Sequence, residues 1–102
     1  MSDDPRILML MACNYSKMGR KDKAVQVLDK MINLSKKRYV SAYYFALVYT
    51  ALGKKDEAFE WLEKAFQDHE GRLTLLKVDP LLDDLRSDSR FEELVRQVGL
   101  DK

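Results

Sequence analysis

Ala12-Cys13-Asn14-Tyr15-Ser16-Lys17-Met18-Gly19-Arg20-Lys21-Asp22-Lys23-Ala24 returns 34 residues later as Ala46-Leu47-Val48-Tyr49-Thr50-Ala51-Leu52-Gly53-Lys54-Lys55-Asp56-Glu57-Ala58. The match extends to Leu28/Leu62 and Lys30/Lys64. Over the thirty pairs from Pro5/Tyr39 to Leu34/Asp68 there are eight identities, where unrelated chains of this composition would show roughly two. Met11/Phe45, Ser16/Thr50, Met18/Leu52, Arg20/Lys54 and Asp29/Glu63 are close substitutes. The first two-thirds of the chain is therefore one unit written twice.

Each unit reads as two helices around a glycine. Asp4 is placed to cap a first helix, with Pro5 at its first position, where a missing N–H costs nothing. This helix is predicted over 5–18, and Gly19 supplies the left-handed residue that ends it. A second follows over 21–34, with Asp22 in its first turn, where a negative charge suits the macrodipole. Ala24, Val25, Val27, Leu28, Met31, Ile32 and Leu34 recur along it at helical spacing. Lys36-Lys37-Arg38 leads into helices predicted over 39–52 and 55–68, divided by Gly53. Beyond Gly71 the period breaks. The spacing leaves the form of Leu73–Val78 open. Asp79-Pro80 opens a short helix to Leu85 or Arg86, and a last one starts near Asp88 or Ser89, with Ser89 and Glu92 at capping-box spacing. It carries Phe91, Leu94, Val95 and Val98 on one face and stops at Gly99.

The spacing Ala12…Tyr15…Gly19…Ala24, repeated as Ala46…Tyr49…Gly53…Ala58, resembles the tetratricopeptide repeat. The resemblance implies an all-α fold: two helix-turn-helix repeats, at about 5–38 and 39–72, and a short C-terminal helical cap at about 73–102, together one domain. It implies that the alanines let paired helices approach, that Tyr15 and Tyr49 wedge between them, and that Leu28 and Leu62 complete the layer. The sequence departs from the family where its large early residue, Leu8 in unit one, is Ala42 in unit two. Lys36 and Glu70 stand where a proline usually closes each unit, which predicts looser or re-angled links. The tail, with Asp79-Pro80 and then Leu85-Arg86-Ser87-Asp88-Ser89-Arg90-Phe91, looks like the segment that closes many bacterial repeat proteins, although Ser89 replaces their proline. A solenoid needs such an atypical unit to cover its last apolar face.

Composition narrows the function. The 102 residues carry 18 basic and 17 acidic side chains, a net charge of +1 that lacks the basic excess of a general nucleic-acid binder. The halves differ: residues 1–50 sum to +5 and residues 51–102 to −4, an asymmetry able to steer partners. One cysteine cannot staple a fold and suits a reducing, cytoplasmic setting. The longest apolar run, Ile7 to Cys13, has seven residues, against about 20 to span a bilayer. A single histidine and a single cysteine offer no zinc set. No serine lies in a nucleophile elbow, no glycine cluster forms a phosphate loop, and the adjacent pairs Asp83-Asp84 and Glu92-Glu93 point about 100° apart on their helices. No enzyme, cofactor or metal site is expected.

What remains is binding. The resemblance implies a concave groove lined by the first helix of each unit, its positions falling on Arg6, Met9, Cys13, Ser16, Lys17, Val40, Tyr43, Leu47, Thr50 and Ala51. Met9, Cys13, Tyr43 and Leu47 are either apolar anchors there or plain core. The lysine and asparagine clamp of chaperone-binding members is absent, since Met9, Cys13 and Leu47 hold its positions. The expected function is thus a scaffold module that grips an apolar partner segment, with Lys17 and the edge Lys36, Lys37, Arg38 attracting an acidic flank. Helix 5–18 is apolar almost all round, which calls for a cover. Leu8, Met11, Ala12 and Tyr15 are expected inward, with Ile7, Met9, Leu10 and Cys13 partly free. Self-association through that helix is the alternative function, and an RNA-binding helical repeat is a third, weakened because two units read too few bases.

Overall fold

A computed structural model describes residues 4–99. Helices α1 (Pro5–Lys17), α2 (Lys21–Ser35), α3 (Ala42–Ala51) and α4 (Lys55–Gln67) come first. Two 3₁₀ segments, Gly71–Leu75 and Pro80–Leu85, and helix α5 (Ser89–Val98) make the tail. No strand occurs among the described residues, and the fold is all-α. Residues 100–102 of the expected cap range lie outside the described residues.

Local chemistry sets the ends. The Asp4 carboxylate accepts the Arg6 N–H at 2.9 Å, and Pro5 occupies the first helical position. Gly19 and Gly53 take φ of +76° and +77°. The next amides, of Arg20 and Lys54, reach back to the carbonyls of Tyr15 and Tyr49 at 2.8 and 2.9 Å, closing both helices in the same way. The end of α4 repeats this geometry without a glycine. His69 stands at φ +57°, and the Glu70 amide reaches the Ala65 carbonyl at 3.0 Å.

Two boundaries differ from expectation. Helix α3 begins at Ala42, not residue 39, because Ser41 is extended and already buried with Val40. The Ser41 hydroxyl, free of capping duty, donates to Glu70 Oε2 at 2.6 Å. That bond also corrects the expected looseness of the second link: Glu70 ties the head of α3 to the end of α4. In the tail the cap of α5 is Asp88, which accepts the Arg90 N–H at 3.0 Å, so Ser89 and Glu92 form no capping box.

Antiparallel pairs α1/α2 and α3/α4 stack through α1 on α3. Ala12, Ala24, Ala46 and Ala58 are wholly buried, the small contacts that let the helices close. Phe45 stacks on Trp61 with centroids 4.4 Å apart, and Tyr49 lies 6.5 Å from the same ring. One apolar cluster runs from Leu8 to Val95. Helix α1 turns its faces otherwise than expected: Met9 and Cys13 are buried, while Met11 is 40% exposed. The cause is the sandwich, since α1 meets α2 on one side and α3 on the other, and Cys13 Sγ lies 3.7 Å from the Leu47 carbonyl.

The tail is held by polar bonds around one side chain. The Arg86 guanidinium donates to the carbonyls of Leu76 at 3.1 Å and Asp79 at 2.6 Å. It pairs with Asp83 at 2.8 Å and lies over the Phe91 ring. Leu76, Leu82 and Leu85 beneath it are fully buried.

Candidate protein-binding cleft

The concave side of the helix pairs is closed at one edge by the tail. The segment Pro80–Leu85 packs on α3, and the Tyr43 hydroxyl donates to Asp79 Oδ2 at 2.6 Å. Burial and that acidic acceptor push the Tyr43 phenol well above its ordinary range, so it stays a neutral donor. Asp79 also caps the 3₁₀ turn by accepting the Leu81 N–H at 2.9 Å. Between α1, α3 and this wall lies a cleft of about 350 Å³.

Met9, Tyr43 and Leu47, three of the residues expected in the groove, meet here as its floor. Each is at most 5% exposed, so they shape the cleft and present little surface. The rim joins Arg6, one of the expected groove positions, and Leu10, expected partly free, to residues the sequence did not place there: Tyr44, Arg72, Leu75, Asp79 and Leu81. Leu10 and Leu75 are 43% and 46% exposed, and the Arg72 guanidinium lies over the Tyr44 ring at 4.8 Å. No signal along the chain could place Leu75 or Leu81 opposite α1, because that depends on how the tail folds back.

The other expected site residues stand outside the lining. Cys13 is buried, and desolvation pushes its thiol up to about 11, leaving it protonated and inert. Thr50 is buried and donates to the Ala46 carbonyl at 2.8 Å. Ser16 bridges the repeats by donating to the Ala51 carbonyl at 2.6 Å. Lys17 is exposed near the end of α1, and Lys36, Lys37 and Arg38 are exposed on the α2–α3 turn, away from the cleft.

Electrostatics divide the molecule. All six ion pairs among the described residues fall between Asp56 and Arg96, as in Arg90–Asp56 at 2.8 Å. The nine basic side chains before residue 51 make none with a described residue and are all exposed, so the positive charge of the front half is presented to solvent. No three His, Cys, Asp or Glu side chains among the described residues gather as a metal site, and no buried side-chain nitrogen or oxygen there lacks a partner.

Stacked antiparallel helix pairs related by a 34-residue translation define an α-solenoid fragment. Tetratricopeptide repeat family models match residues 5–38 and 40–71. The chain belongs to the tetratricopeptide repeat family, whose members are generally non-catalytic protein–protein interaction modules. No curated protein and no solved structure matches it significantly. No helix among the described residues is long and apolar enough to cross a membrane.

Proposed function

We propose that this chain is a cytoplasmic, non-catalytic adaptor that holds an extended or helical segment of a partner protein in the cleft between α1, α3 and the tail. The convergence of Leu10, Tyr44, Leu75 and Leu81 over a sealed floor carries this reading. Their apolar surface takes one or two large apolar side chains of the partner. Arg6 and Arg72 at the rim favour a neighbouring carboxylate, and the unpaired front-half cations draw an acidic segment toward it. Tyr43 and Asp79 saturate each other, so they set the shape of the cleft and leave selectivity to the rim.

Synthetic peptides carrying paired apolar residues with an acidic flank, followed by fluorescence polarisation, test the reading. Leu10→Glu and Leu75→Glu replace exposed rim residues, so both variants keep their helicity. Each is expected to weaken the best peptides by about tenfold or more, whereas Val78→Glu, outside the cleft, leaves binding unchanged. Peptides that bind all three variants equally overturn the cleft as the docking site.

A further inference from the structure

The second helix of each repeat and the turn after it can be compared between the two units. Residues 21–38 carry six basic and two acidic side chains, a net +4, whereas residues 55–72, one period on, carry three basic and six acidic, a net −3. In the second unit the turn serves the fold. Glu70, its side chain 6% exposed, takes the Ser41 hydroxyl and pairs with Arg72, and Leu73 is buried. The first unit has Lys36, Lys37 and Tyr39 at the positions of Glu70, Gly71 and Leu73. Lys36, Lys37 and Arg38 are exposed, and none pairs with a described residue. Tyr39 is 65% exposed. Partial burial and a hydrogen bond to Glu70 raise its phenol above the ordinary range, so the ring is tethered at its tip and open to solvent. Beside the turn, where the start of α1 meets the end of α2, lies a cavity of about 220 Å³ lined by Leu8, Lys30, Asn33, Leu34 and Lys37.

We propose that this edge binds a single-stranded nucleic acid, with one base stacked on the Tyr39 ring and the phosphates on Lys30, Lys36, Lys37 and Arg38. A neighbouring base enters the cavity over Leu8 and Leu34, beside the Asn33 carboxamide. Lys37 lines the cavity and stands two residues from Tyr39, at most about 7 Å along the chain, so one strand spans both. The combination of groups selects this occupant. An acidic peptide would neutralise the cations and leave the open ring and the carboxamide without a counterpart. A nucleotide supplies a phosphate, a flat π-face and a hydrogen-bonding edge together. Backbone charge and stacking dominate such a site, so it tolerates many sequences and needs no code of one base per repeat. The overall net charge of +1 masks the local excess, because the acidic side chains gather in the other half of the chain.

Fluorescence anisotropy of short labelled oligouridylate and oligothymidylate with the intact chain is the test, and the two probes separate RNA from DNA. The expected result is binding of at least one of them at low salt. Its log–log salt slope is expected to be about −2 to −3, as for a single strand neutralised by up to four cations. Tyr39→Ala is expected to weaken binding by about tenfold, whereas Tyr39→Phe keeps the ring and the affinity. Lys37→Gln should reduce the slope by about 0.7. Lys64→Gln, at the position of Lys30 in the second unit, is expected to change nothing. All of these residues are exposed, so circular dichroism should be the same in every variant. No binding of either strand at low salt overturns the proposal, as does full affinity in Tyr39→Ala or a loss in Lys64→Gln. Equal affinity for a polyglutamate of the same length also overturns it and assigns the edge to an acidic protein segment. The cleft shares no lining residue with this edge, so none of these outcomes bears on it.

Discussion

Phe45 and Met11 occupy the same position of two repeats, each on the first helix of its pair, and their surroundings differ. Phe45 is 1% exposed and stacked on Trp61, whereas Met11 is 40% exposed. The local helix is the same and the packing is not. In a solenoid a residue's burial depends on whether a unit is stacked beside it, so identical periodicity yields core in one repeat and surface in the next.

The sharpest way to break this comparison is to truncate both residues. Phe45→Ala is expected to destabilise by about 3–5 kcal/mol through lost burial and a cavity beside Trp61. Met11→Ala is expected to cost under about 1 kcal/mol. Urea denaturation of the two variants checks this, and equal losses would mean that the repeats are packed alike. Next in size, Arg86→Ala should cost about 2–3 kcal/mol, since it strips charged donors from the Leu76 and Asp79 carbonyls and from Asp83. The same denaturation series reads it, and a neutral result would show that the apolar contacts of Leu76, Leu82 and Leu85 alone hold the tail.

A smaller pair of changes compares the helix ends. An added Cβ at Gly53 meets nothing within 4 Å, so Gly53→Ala costs only left-handed strain, about 1 kcal/mol. His69 already bears that strain, and His69→Gly should recover a similar amount, raising Tm by about 4–8 °C for a domain of this size. If scanning calorimetry finds both variants destabilised, the two ends are not equivalent. The smallest effect is acid sensitivity at the joint between α4 and α5. Hydrogen bonds from the Arg90 side chain and amide hold the Asp88 carboxyl near 2, below its ordinary range. A depressed folded-state value stabilises above the ordinary carboxylate range, and that contribution is lost as pH falls through about 4 toward 2. Asp88→Asn should flatten this limb of a pH–stability profile, and an unchanged slope would place the acid sensitivity elsewhere.

The repeat, its glycines and its helix pairs were legible in the sequence because they rest on local geometry. Gly19 and Gly53 had to be left-handed, and Asp4-Pro5 could only open a helix. The facing of α1 was not legible. Ile7 through Cys13 is apolar at every position, so periodicity does not separate the side toward α3, with Met9 and Cys13, from the side away, with Met11. The start of α3 was misplaced because Val40 and Ser41 are buried ahead of the helix, a tertiary effect with no local mark. Met9, Tyr43 and Leu47, expected along the groove, lie buried beneath the cleft, and of its rim only Arg6 and Leu10 had been pointed to. Leu75, Leu81 and Asp79 reach it only through a fold-back fixed by Tyr43 and Arg86, long-range bonds that no spacing rule predicts.

The bond from Tyr43 to Asp79 makes the tail a wall of the cleft, and that gives the cleft a conditional existence. Were Gly71–Val98 to detach from α3, the rim would lose Leu75 and Leu81 and the site would be dismantled. Affinity is then the intrinsic value reduced by the docked fraction, and any occupant touching both α1 and the tail shifts that fraction upward. Amide hydrogen exchange along Leu81–Val95 should slow when the cleft is filled, although most of those amides never touch the ligand. The segment that seals the end of the solenoid would thereby report, through its own exchange rate, whether a partner is in place.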